Sequence, residues 1–255
     1  MILRRVIDHV KAQNWTAVAL DFLIVVVGVF IGIQVSNWNA ARADNARERE
    51  LLAELKVEIS ESVRHAEYLN KFHADVHAAA KRSIEFMDSG GDCGDACWPV
   101  LADFFHASQW QPVNVDRTTF DEMRRQGLPR SREIVSLVEA YLSQNYITMI
   151  VLADPPAYRA HVRGLIPAAA HEAYWTTCYD LIDGIETIKF DDCPPALSNA
   201  AAAQAVDAII RHPDTRPYLT FWFSEITPTA GELDDQNDAA MRAISAIDAE
   251  LERRK

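Results

Sequence analysis

The residues best able to do chemistry are four cysteines, Cys93, Cys97, Cys178 and Cys193. All lie C-terminal to the one long apolar stretch, as they would if that side faced an oxidising compartment and the thiols formed disulfides. Zinc is the competing reading. It asks for tight knuckles, whereas Cys93 and Cys97 make C-x3-C, and Cys178 and Cys193 make no second knuckle. Unpaired structural thiols are a third reading. His73 and His77 stand four apart with Asp75 between them, so one helix face could offer two imidazoles to a metal. No third ligand is identifiable, and the Glu-x2-His pairing of di-iron bundles is absent, with Asp103-x2-His106 a poor substitute. Solvated or half-buried polar histidines are the simpler account.

Arg124, Arg125, Arg130 and Arg132 surround the Gly127-Leu128-Pro129 turn, where Ser131 can cap the following helix. Guanidinium forks beside open backbone N–H groups would suit a phosphate or a carboxylate, with Arg124, Arg130, Ser131 and Arg132 as the binding set. A solvated turn with ion pairs to Asp121, Glu122 and Glu133 is the alternative. Nucleophile elbows, phosphate loops and dinucleotide fingerprints do not occur, so the sequence points away from an enzyme and calls for no cofactor. The net charge of -12 opposes nucleic-acid binding, which needs a basic face.

These residues depend on a chain that crosses a membrane once. From Ala17 to Val35 the only strongly polar side chains are Asp21 and Gln34, with Trp15 and Trp38 as interfacial anchors at either end. The two tryptophans would be about 35 Å apart on a helix, the thickness of a hydrocarbon core with a little headgroup. A cleaved signal peptide, cut at Ala41-Arg42-Ala43, is the alternative, but the apolar run is longer than a signal core. A charged fraction of 24% and a negative mean hydropathy rule out further spans. The sequence thus divides into a basic amphipathic interfacial segment (1–14), a transmembrane helix (15–38) and a soluble helical domain (39–255).

Basic residues flank both ends of the span, so orientation rests on the cysteines: N-terminus in the cytoplasm, domain in the periplasm, anchor in a bacterial inner membrane. Gly28, Gly32 and Ser36 form a small-residue row that shares its face with Asp21, which suits close approach of a second helix. A carboxyl there is protonated, partnered or near headgroup water. The expected partners are the bilayer and either a second copy or another membrane protein. Asp21 paired with a basic residue of that protein would make the chain an accessory subunit.

The stretch from Asp21-Phe22-Leu23-Ile24 through Gly28 to Gln34-Val35-Ser36-Asn37-Trp38-Asn39 resembles a family of bacterial single-pass membrane proteins, domain of unknown function family 6090. That family's hallmark is G-E-I, an apolar run and Q-I-N-N-W-N. A second patch, Phe120, Met123, Gly127, Leu128, Ile134, Leu137 and Tyr141, is similar to its paired aromatic-x2-L-x3-G-L and I-x2-L-x3-Y segments. Leu20-Asp21 stands where the family has Gly-Glu, and Ser36 where it has Asn. The resemblance implies a bacterial membrane-anchored protein and carries no activity with it.

The expected fold is all-α, one transmembrane helix followed by a soluble helical bundle with a long first helix. From Asn39 to Ser89 there is no Gly or Pro, and Leu52, Leu55, Ile59, Val63, Ala66, Leu69, Val76 and Ala80 recur at helical spacing. Gly90-Gly91 should stop this helix. Helices are also expected after Pro99, up to Gly127, from Ser131 to about Ala153, and near 157–165 and 167–182. Ser198–Arg211 and Thr215–Arg253 follow, the last bent or split at Pro228. Residues 109–116 look extended, and an acid-rich loop should end at Cys193. The leading functional expectation is a membrane-tethered interaction or sensory module; the rival is a small enzyme whose acids and histidines converge in one cleft.

Overall fold

A computed structural model describes residues 15–182 and 185–254, and the expected interfacial segment 1–14 lies outside them. The described chain is mostly helical. α1 (Trp15–Asp88) is a single helix of 74 residues, about 110 Å long. The absence of Gly and Pro from Asn39 onward lets it run unbroken. Ser89 then caps it. Gly90 and Gly91 take positive φ and return their N–H groups to Met87 and Phe86 carbonyls, a paired C-terminal closure that only glycine adopts cheaply.

Eight further helices follow among the described residues: α2 (Cys97–His106), α3 (Thr118–Arg125), α4 (Arg132–Leu152), α5 (Ala157–Leu165), α6 (Ala168–Thr177), α7 (Asn199–Arg211), α8 (Thr215–Ile226) and α9 (Thr229–Arg253). The expected final helix is split at Thr227-Pro228, because proline cannot donate into the preceding turn. The helix expected to reach Ile182 stops at Thr177. An antiparallel hairpin takes its place, β1 (Tyr179–Ile182) on β2 (Ile185–Ile188), with Tyr179 opposite Ile188. The acid-rich segment thus contains a small sheet where the sequence pattern suggests helix and loop.

α1 threads two apolar clusters. Leu51, Leu52, Leu55 and Ile59 pack with Phe120 and Met123 of α3, Ile134, Val138 and Tyr141 of α4, and Ala240, Ala243 and Ile247 of α9. Farther along, Leu69, Phe72, Val76 and Ala80 pack with Leu101, Phe104 and Phe105 of α2, Tyr158 and Val162 of α5, Tyr174 of α6, Ile209 of α7 and Trp222 of α8. α9 runs antiparallel to α1, and three polar contacts fix the register. Asn70 donates to Asp234 at 2.8 Å, Lys56 to Asp248 at 2.6 Å, and Arg254 to Glu48 at 2.8 Å. Before Glu48, α1 leaves the body, and its apolar segment lies bare: Phe22, Ile24, Phe30 and Trp38 are exposed.

Candidate functional site

The four cysteines form two disulfides, Cys93–Cys97 and Cys178–Cys193. The first closes the loop that leads into α2. The second ties the end of α6 across the hairpin to the segment before α7. Lys189 N–H donates to the Cys178 carbonyl, and Trp98 Nε1–H donates to the Cys193 carbonyl at 3.2 Å, so this bridge is sewn into the second cluster.

Against it lies a buried polar chain that runs from Arg163 through Gln109 and Tyr174 to His106. Arg163 is a donor only, and its Nη2 gives a hydrogen bond to Gln109 Oε1 at 3.0 Å. Gln109 Nε2 must then donate to the Tyr174 hydroxyl at 3.1 Å, and that hydroxyl shares a hydrogen bond of 2.7 Å with His106 Nδ1. The other ring nitrogen, His106 Nε2, is buried and has no hydrogen-bond partner among the described residues. Burial, and secondarily the charge of Arg82, hold His106 down at about 3. Arg163 stacks over Phe105 and Trp175, and burial with the neighbouring Arg159 brings it down to about 10.

His106 lines a recess of about 360 Å³ with Arg82, Asp103, Asp191 and Cys193. This recess brings a histidine and two acids into one cleft, the arrangement an enzyme would need. The chemistry does not follow. Asp103 is held by a bidentate Arg82 fork, His106 stays neutral far below physiological pH, and the Cys193 sulfur is bonded to Cys178. A general base matched to neutral pH is missing from this cleft.

A second recess, about 660 Å³, opens between α1 and the hairpin, lined by His65, Tyr68, Trp110, Gln111, Asn114, Arg159 and Glu186. Polar side chains make up most of this lining, with Tyr68 and Trp110 as aromatic walls, so a ligand here would be recognised chiefly by hydrogen bonds and charge. Tyr68 accepts from Gln111 Nε2 at 2.9 Å and donates to the Glu186 carbonyl, which joins α1 to the hairpin. Arg159 gives one N–H to the Ser108 carbonyl at 2.8 Å and makes no ion pair among the described residues. Burial lowers its pKa.

The remaining sites expected from the sequence fare differently. His73 lies buried with Nε2 3.2 Å from the Gln111 carbonyl, and desolvation lowers it to about 4. His77 stacks on Phe223 and meets the Thr227 hydroxyl. The two imidazoles thus serve different neighbours, and no group of three His, Cys, Asp or Glu side chains able to hold a metal occurs among the described residues.

Ser131 caps α4 by accepting from Ile134 N–H. The anion at this turn is the chain's own Glu48. Its fully buried carboxylate accepts the Arg130 backbone N–H at 2.7 Å and Arg254 at 2.8 Å, while Arg130 also reaches Asn45 at 2.6 Å. Arg124 and Arg132 stay exposed and outside this cluster. Gly28, Gly32 and Ser36 are exposed along α1, and a methyl group added at either glycine would meet nothing within 4 Å. No protein-family model, no curated protein and no solved structure matches the chain.

Proposed function

We propose that the protein is a bacterial membrane-anchored interaction or sensory module, held by the apolar part of α1 in the inner membrane with its body in the periplasm. One observation carries the reading. The helix that floors the recess at His65 and Tyr68 is the same unbroken helix that runs bare and apolar from Trp15 to Trp38. A ligand or partner that engages Tyr68, Arg159 and Glu186 would therefore press directly on the anchor. The two disulfides support an oxidising compartment for the body. The open face with Gly28, Gly32 and Ser36 suits association with a second copy, and Asp21 on that face suits an interhelical hydrogen bond.

Three measurements on the full chain in its native membrane test this. Alkaline carbonate should leave the chain in the pellet, and all four cysteines should resist alkylation until reduced. Gentle solubilisation should co-isolate a second copy or a membrane partner. Release by carbonate would point to a cleaved leader and end the anchor reading. Turnover of a small substrate by the isolated chain would favour the enzyme instead.

A further inference from the structure

The chain is strongly acidic as a whole, yet the fold gathers arginine at one end of the body. α3 runs back along α1 toward the apolar segment: Thr119 N–H donates to Glu58, and one turn later Glu122 accepts from Arg47 at 2.9 Å. Its last turn, with Arg124 and Arg125, therefore lies beside the point where α1 leaves the body. Arg132 opens α4 at the same level, because Arg130 is bonded to Asn45 and Glu48. Arg49 projects from α1 itself.

The local carboxylates are largely committed. Asp44 and Glu48 face Arg130, Glu50 and Glu122 face Arg47, and Glu250 faces Arg253 and Arg254. Arg49, Arg124, Arg125 and Arg132 are exposed and have no ion-pair partner among the described residues. Against these four stand Glu133, beside Arg132 in sequence, and Glu252. The surplus is cationic.

We propose that this arginine-rich end docks on anionic lipid headgroups of the membrane that α1 enters, an inference that rests on the anchor reading above. Trp38 and Glu48 are about 15 Å apart along the helix, and Arg42, stacked over Trp38 at 5.8 Å, begins the basic track between them. The headgroup layer itself extends several ångströms beyond the hydrocarbon, and a helix tilt of about 20° brings one side of the body closer still. Anionic surfaces attract arginine within a Debye length of about 8 Å at physiological salt. Nucleic acid is a poor occupant, because the rest of the body is acidic.

The test uses the full chain reconstituted into vesicles of phosphatidylcholine alone, and of equal parts phosphatidylcholine and phosphatidylglycerol. Amide hydrogen exchange is followed over residues 124–132. Exchange should be several-fold slower in the anionic vesicles, and the difference should vanish at high salt and in an Arg124→Glu, Arg125→Glu, Arg132→Glu variant. Lys81→Glu, far along α1, should leave it intact. Equal exchange in both vesicles overturns the proposal. So does equal slowing by inorganic phosphate in the neutral vesicles, which would mark a phosphate-ion site. Retention of the chain under alkaline carbonate is scored separately, so loss of the anchor and loss of the docking are distinguishable.

Discussion

Glu48 keeps its buried position in the end wall of the body because two donors, the Arg130 backbone N–H and the Arg254 guanidinium, converge on it. Their convergence also explains what could and could not be read from the residues around Ser131. Arginine forks beside a helix start suggested a site for a bound anion; of that set only Arg130 meets a carboxylate, and it is the chain's own Glu48. The anion's identity was hidden, because Glu48 and Arg130 are far apart in sequence and meet only when α1 and α4 pack. Glu48→Gln should keep the shape and remove the charge. Breaking a buried pair is costly, and partial exposure of Arg130 reduces that cost, so we expect about 2 kcal/mol lower stability by chemical denaturation. An unchanged midpoint would show that Arg130 and Arg254 are served equally well by water.

The buried histidines make a second prediction at this scale. His73 and His106 are both depressed by desolvation, to about 4 and about 3. Above pH 6.5 neither the folded nor the unfolded chain holds these protons, and stability is full. As the pH falls below that value the unfolded state binds them first, so stability declines toward pH 4. The slope from the two together approaches about 2.7 kcal/mol per pH unit. Denaturant titrations of the wild type and of a His73→Gln, His106→Gln variant should give a shallower slope for the variant.

Among the elements, the stops and starts were the most legible. Gly90-Gly91 closes α1, Gly127 closes α3 with positive φ, and Ser131 and Ser198 accept the N–H groups that open α4 and α7. Each is local chemistry, complete within a few residues. The hairpin was illegible for the opposite reason. Its strands are four residues each, Leu181 and Ile182 are exposed, and its alternation is too short to stand out from a helical pattern. What holds it comes from elsewhere: Tyr68 of α1 and the bridge between Cys178 and Cys193, whose ends are 15 residues apart. A loop of that size gives about 3 kcal/mol by chain entropy, so a Cys178→Ser, Cys193→Ser variant should lose about that much. Exchange should also rise first at residues 179–188; a uniform rise through α2 and α7 would show that the hairpin is not a separate unit.

For the whole molecule, helical spacing from Asn39 onward pointed to a long first helix of the bundle, and α1 is that helix, threading both core clusters. The division of the core was not announced, since Leu55 and Leu69 look alike in sequence and only the return paths of α3, α4 and α9 place them in different clusters. The unbroken α1 has a geometric consequence: along residues 39–47, length is angle. One inserted residue turns the face carrying Gly28 and Gly32 by about 100° relative to the arginine-rich end while lifting that end by only about 1.5 Å. Seven inserted residues return the face to within about 20° of its starting azimuth and lift the end by about 10 Å. Crosslinking between apolar helices and protection of residues 124–132 by anionic lipid should respond to these two insertions differently. A single alanine after Ala43 should misalign copies that associate through both the helix face and the body. Seven alanines should restore their alignment and abolish contact with the lipid. If copies do associate in that way, the segment between Trp38 and Glu48 is a phase setting as well as a spacer, and its length in residues would not tolerate a change of one.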